Sequence, residues 1–305
     1  MKAKNSTKGL LFALLALFLW GIHGPAGRYL ALQDVNMYFV AALRFFIGTF
    51  VFFIFLLFKK RLSINFREEL PLVLIISLVG VAGNSVLYHL TLKYLSGTLV
   101  MILENLSPLF VFLLVLFLDK EKPKFIEILS LGLSILGIFI IVLGKEKFFD
   151  LKDNFYLGII LGIFTGITFG FYVYFSSKLV KPLHNDPIKI ISYLFKIFLI
   201  TAVLMSPLLF TKGKTPDSFS EWFWLIEMGV FQSGLAYIFW NYALSLLPVN
   251  SASILFLLTI IFTTVNEVAF LGLKLNIYLV LGGFLIIMSG YLISRDINKG
   301  RGKSE

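Results

Sequence analysis

The sequence predicts an all-α polytopic membrane protein of ten transmembrane helices, arranged as two inverted five-helix repeats, and three observations predict it. Of 305 residues, 58% are hydrophobic and 14% are charged, with a mean hydropathy of +0.91; soluble domains do not have this composition. Apolar stretches of the roughly 20 residues needed to cross a bilayer core of about 30 Å recur from end to end. The second half repeats the first with five spans per copy, and an odd-numbered repeat enters the bilayer upside down the second time.

The spans are expected at 9 to 31, 37 to 58, 70 to 92, 97 to 118, 125 to 144, 156 to 178, 188 to 210, 222 to 245, 249 to 271 and 276 to 294. Residues 1–148 form the first five-helix repeat and residues 149–305 the second, within one membrane domain, because the short linkers leave no stretch to fold as a soluble unit. Residues 10–19 and 45–58 are apolar all round, whereas barrel strands alternate apolar and polar residues. Lys2, Lys4 and Lys8 precede an apolar run that outlasts a signal-peptide core and takes part in the repeat.

The net charge of +10 is spread over loop ends, which argues against a nucleic-acid partner. With the N-terminus inside, the inner segments carry 17 Lys and Arg. The outer segments carry 7: Lys93, Lys145, Lys147, Lys152, Lys212, Lys214 and Lys274. The positive-inside rule then places both termini in the cytoplasm of a cell whose inner membrane holds the chain. No cysteine is present, so disulfides, thiolate metal sites and cysteine nucleophiles are excluded. His23, His89 and His184 show no metal-ligand spacing, and no cofactor is implied.

A shift of 152 residues sets Asp34 on Asp186, Arg44 on Lys196, Glu69 on Glu221 and Thr91-Leu92 on Ala243-Leu244. A shift of 149 sets Gly9 on Gly158 and Trp20-Gly21 on Phe169-Gly170, and a shift of 153 sets Gly137 on Gly290. Loop insertions produce such small changes of shift.

Leu19-Trp20-Gly21 in the first span, Ala42-Leu43-Arg44-Phe45 in the second, Leu106-Ser107-Pro108-Leu109-Phe110 in the fourth with Glu121 after it, and Ile135-Leu136-Gly137 closing the fifth resemble the EamA family of the drug/metabolite transporter superfamily. The resemblance runs from about Gly9 to Ser294. It implies two inverted five-helix halves around a central cavity that moves amino acids or other small metabolites, often outward. The second half departs from the pattern: Ile260 stands where the proline would recur, and Leu273 or Lys274 where the glutamate would.

An ionisable side chain at mid-depth costs roughly 2.5–3.5 kcal/mol on insertion scales and faces the bundle interior or a cavity. Glu104 is one, with Asn105 beside it and Pro108 one turn on; it either binds a substrate ammonium, exchanges a proton or pairs with a buried base. His23, in Trp20-Gly21-Ile22-His23-Gly24-Pro25, sits at an expected bend and either contacts substrate, relays protons or bonds a carbonyl. Its repeat counterpart Tyr172 suggests a shared wall position. Arg44 and Lys196 read as structural charges tethered to a carboxylate or to carbonyls on a neighbouring helix. Glu227 and Glu267, near the outer ends of their spans, read as solvated or paired structural residues or as gates. Trp20, Asn84, Asn105, Gln232, Tyr237, Trp240 and Asn241 complete the candidate substrate wall, though amides also serve as interhelical bonds. Gly80, Gly83, Gly162, Gly166, Gly170 and Gly234 read as packing positions.

Such a wall suits a small amphipathic solute such as a zwitterionic amino acid. Nucleosides and sugars are the alternative substrates; phosphorylated ones call for paired cations deep in the cavity. No Walker-type loop, Gly-x-Ser-x-Gly elbow or metal cluster appears in the sequence. A secondary carrier is therefore favoured over an intramembrane enzyme or a structural subunit. Proton coupling through Glu104 or His23 is one route, plain exchange another. The sequence carries no signal for an oligomeric state.

Overall fold

In the computed structural model, residues 2–62, 69–91, 94–95, 97–143, 155–271 and 276–299 are described. Lys93, Lys145, Lys147, Lys152, Lys274 and Glu305, and the side chains of Lys2, Lys4 and Glu267, lie outside the described residues.

The first half contains α1 (Lys2–Gly21), α2 (His23–Leu32), α3 (Met37–Phe58), α4 (Leu70–Ile75), α5 (Asn84–Thr91), α6 (Gly97–Glu104), α7 (Ser107–Leu114) and α8 (Phe125–Leu143). The second contains α9 (Phe155–Val180), α10 (Pro187–Met205), α11 (Phe219–Glu227), α12 (Ala236–Leu246), α13 (Val249–Phe256), α14 (Thr259–Leu271) and α15 (Ile277–Lys299). Among the described residues there is no strand, only an isolated bridge between Val35 and Lys214.

Eight helical runs are long and apolar enough to cross a membrane, and Phe125–Ile141 is a shorter apolar helix. The expected eighth span is helical through residues 219–246, but Glu227, Gln232 and Asn241 make it more polar, and it is not among the eight. The outer surface carries the apolar residues that a bilayer would solvate, such as Phe58, Phe117 and Phe284. The protein is thus an all-helical, multi-pass membrane protein.

Helix breaks recur with the sequence repeat. A π-helical stretch covers Ile76–Gly83 between α4 and α5, and another covers Met228–Leu235 between α11 and α12, 152 residues later. The α6–α7 break at residues 105–106 recurs at the same offset as the α13–α14 break at residues 257–258. Pro108 cannot donate to the Glu104 carbonyl, which accounts for the first break. Ile260, in the place of that proline, does not restore a straight helix. Leu257, Leu258, Ile260 and Ile261 each donate to the carbonyl three residues back, a tight 3₁₀-like turn. The proline is therefore not necessary for a break at this position.

The halves interleave. Helix α1 packs on α12 and α14 of the second half, while α9 packs on α5, α6, α7 and the first π-helical stretch. Helix α9 approaches the α6–α7 break through glycines: a Cβ on Gly166 would fall 2.7 Å from the Leu103 carbonyl oxygen, and one on Gly170 would fall 2.9 Å from Phe110 Cβ. Helices α8 and α15 meet in the same way, with Gly137 against the carbonyl oxygen of Gly282 at 2.6 Å from an added Cβ.

Each end of the bundle is tied across the halves. At the α2–α3 loop, Asn36 N donates to Lys214 O at 2.8 Å, and its side chain donates to Thr211 Oγ1 at 2.9 Å. Lys214 Nζ donates to Glu221 at 2.9 Å. That bond, with one from the Asp217 N–H, holds the Glu221 carboxyl down at about 2. At the opposite end, Lys124 pairs with Asp296 at 3.0 Å and Lys178 with Asp119 at 2.7 Å. Glu127 accepts from the Lys124 N–H at 2.9 Å, and from Asn250 and Ser251 at 3.3 and 3.4 Å. Tyr193 donates to Glu69.

Replacing Gly166 by Ala forces a methyl against the Leu103 backbone and should cost about 1–3 kcal/mol, seen as a lowered melting temperature and folded yield in detergent. Gly132→Ala, which meets nothing within 4 Å, should leave both unchanged.

Candidate functional site

The interruptions converge on one place. His23 opens α2 after the break at Ile22, Glu104 closes α6, Thr259 opens α14, and Asn84 opens α5 where the first π-helical stretch ends. Together with Arg44 on α3 and Tyr88 on α5 they form the polar wall of a central cavity. Trp20, Met101, Phe169 and Phe256 supply the apolar wall, and Tyr237 of α12 bridges the two. Both halves contribute. The space open to water is about 50 Å³, room for a few water molecules and less than an amino acid occupies.

Asn84 Nδ2 donates to Glu104 Oε1 at 3.1 Å and to the Thr165 carbonyl at 3.0 Å, so one amide fixes the carboxylate and ties α5 to α9. His23 Nδ1 lies 2.5 Å from Gln232 Oε1, while Arg44 Nη1 lies 3.1 and 3.3 Å from the two ring nitrogens. The tautomer with Nδ1–H donating to Gln232 leaves Nε2 to accept from Arg44. Gln232 Nε2 in turn donates to Glu227 at 2.8 Å. Arg44 also lies over the Phe45 ring, 4.6 Å from its centroid. Trp20 anchors the aromatic side: its Nε1 donates to the Gln232 carbonyl at 3.1 Å, and its ring meets those of Phe169, Tyr237, Trp240 and Phe256 at 5.3–6.0 Å.

Of the residues expected at the substrate wall, the structure brings Trp20, His23, Asn84, Glu104 and Tyr237 together at the cavity. The other five lie behind it. Asn105 turns back to donate to Met101 O of its own turn at 2.8 Å. Asn241 donates to the Tyr172 hydroxyl at 2.6 Å and to Tyr237 O at 2.9 Å, so Tyr172 and Asn241 pair with each other. Tyr172 lies within the unbroken α9, whereas its repeat counterpart His23 follows the break after α1. Gln232 lies between His23 and Glu227, and Trp240 is fully buried behind Trp20.

Arg44, expected as a tether to a carboxylate or to carbonyls, stands in the wall instead. No carboxylate among the described residues lies within ion-pair distance of it, and its Nε has no hydrogen-bond partner among them. Lys196 does not line the cavity; its ammonium lies 5.0 Å from the centroid of the Tyr193 ring. Tyr88, Met101, Phe169, Phe256 and Thr259 were not singled out in the sequence. The repeat holds a signal for four of them: Phe169 is the counterpart of Trp20, Tyr88 of Trp240, Phe256 of Glu104 and Thr259 of Ser107.

The model of the EamA-like transporter family matches residues 7–143 and 156–295. The chain belongs to the EamA-like transporter family. As members of the drug/metabolite transporter superfamily, EamA proteins are transporters, and the similarity points to transport and away from enzymatic chemistry. An uncharacterized transporter of Archaeoglobus fulgidus is 27% identical over 294 residues, covering 94% of this chain and 97% of its own. A biotin transporter of Escherichia coli is 26% identical over 223 residues, covering 71% of this chain and 69% of its own. A solved crystal structure matches with a TM-score of 0.80 at 18% identity, over 96% of this EamA chain and 98% of its own, which speaks to the fold alone.

With Asn241 and Tyr172 bonded behind the wall, Asn241→Ala should cost about 0.6 kcal/mol, the average for an interhelical hydrogen bond in a membrane bundle. A thermal melt should show that loss while the KM for any transported solute stays within twofold of wild type.

Proposed function

We propose that the protein is a secondary carrier of small amphipathic metabolites, amino acids foremost, which it moves outward across the cytoplasmic membrane with both termini in the cytoplasm. The observation that carries this reading is the central cavity. It sits where the interleaved halves meet, it is bounded by helix breaks, and it combines aromatic surface with one carboxylate, one guanidinium and an imidazole. Biotin is the second reading, favoured by the named relatives and by the same pairing of polar and apolar walls.

Alternating access explains why so small a cavity belongs to a carrier. The cross-half ties at the two ends are separate sets, Asn36 and Lys214 at one and Lys124, Glu127 and Asp296 at the other. Opening one set while the other holds lets the halves rock about the site and widens it toward one side at a time. The exposed ion pair between Lys124 and Asp296 is of a kind that contributes about 0–1 kcal/mol, weak enough to exchange in every cycle. The excess of Lys and Arg on one set of loops, 17 against 7, supports the orientation.

Counterflow into proteoliposomes of the purified protein tests the reading, with amino acids and biotin preloaded and labelled members screened in turn. Accumulation of one label is the expected result; none, with folding verified, would overturn it. If Glu104 exchanges the coupling proton, Glu104→Gln should flatten the pH dependence of net flux between pH 5 and 8. An unchanged profile would remove Glu104 from coupling.

A further inference from the structure

Two opposite charges share the cavity wall without pairing with each other. Glu104 is occupied on Oε1 by Asn84 and is farther from Arg44 than an ion pair allows. Arg44 is buried, yet a guanidinium has five N–H donors, and the hydrogen-bonding contacts identified for it are the ring nitrogens of one histidine. A neutral imidazole accepts through one nitrogen only. Taking a guanidinium out of water without an anion costs several kcal/mol, so this site is incomplete as it stands. The repeat does not balance it: Lys196, the counterpart of Arg44, lies outside the cavity against Tyr193, and Phe256 stands in the place of Glu104.

We propose that Arg44 is the anchor for a free carboxylate on the transported solute. This rests on the reading of the cavity as the transport site. The planar guanidinium offers a carboxylate two parallel N–H donors, the strongest geometry available to either group. Its seat on the Phe45 ring and its contact with His23 hold the plane in one orientation. Glu104, fixed by Asn84, then reads the other polar end of the solute and favours a hydrogen-bond donor or a cation there. Trp20, Phe169 and Phe256 take the apolar body between the two. Substrates are thus monocarboxylates with an apolar body, and a zwitterion uses both ends of the site. A phosphate dianion would ask for a second cation, which the wall lacks.

The test uses full-length protein in proteoliposomes and a labelled panel: the neutral amino acids and biotin, which carry a carboxylate, and adenosine, glucose and putrescine, which do not. The expected result is transport confined to carboxylate-bearing members. The methyl ester of the solute moved should compete at least tenfold more weakly than the free acid. Arg44→Gln should abolish that preference for acid over ester, Arg44→Lys should restore part of it, and Lys196→Gln should leave it intact. Should Arg44→Gln fail to fold, the ester comparison in wild type and in Arg44→Lys decides the matter. Equal competition by acid and ester, or an acid preference that survives in Arg44→Gln, overturns the anchor. Transport of adenosine, glucose or putrescine keeps the carrier and overturns the anchor. Transport of nothing in the panel by folded protein overturns both.

Discussion

The constraint on which the rest of the structure depends is that hydrocarbon cannot hydrogen-bond a backbone. Irregular backbone survives at membrane depth only where protein or a polar cavity satisfies it. This chain interrupts its helices at Ile22, at residues 105–106 and at residues 257–258, and inserts π-helical turns at Ile76–Gly83 and Met228–Leu235. The side chains flanking four of these sites, His23, Asn84, Glu104, Phe256 and Thr259, face one cavity. The breaks and the cavity therefore account for each other. Close approach of the helices that satisfy the breaks requires glycine, as at Gly166 against the Leu103 carbonyl.

The same constraint governs the charges. Each ionisable group at depth needs a partner, and the chain supplies Asn84 for Glu104 and Gln232 for His23. Arg44 is supplied least. A buried group with donors to spare is costly to a structural protein and useful to a carrier, whose substrate completes the site and whose departure leaves it open to the next. The ties at the two ends follow a different economy. The ion pairs among them, Lys124 with Asp296 and Lys178 with Asp119, cross between the halves, are exposed or half-exposed, and are weak enough to be exchanged.

Much of this was legible in the sequence for physical reasons. Composition fixes the solvent of the chain, and the internal repeat in the sequence is matched by helix breaks that recur 152 residues apart. Glu104, His23 and Asn84 stood out because polar groups at mid-depth are expensive. The orientation of side chains around each helix was not legible, because it depends on where helices break. Tyr172, on a continuous stretch of α9, is bonded by Asn241, and Asn105 folds back on its own turn. Ile260 stands where the proline would recur, and nothing in its side chain announces the break that the backbone makes there. Arg44 read as a tether because snorkelling is the usual fate of a basic residue at that depth. Only the three-dimensional arrangement shows it without a carboxylate among the described residues.

The central claim, a cavity presented to one side of the membrane at a time, has a direct measurement. The chain has no cysteine, so Thr259→Cys places a single thiol in the wall without a background. Labelling with a membrane-impermeant maleimide from each face of oriented vesicles should occur from both sides, with saturating solute shifting the ratio between them. Absence of labelling from either side, or a ratio that solute does not move, would contradict alternating access at this site.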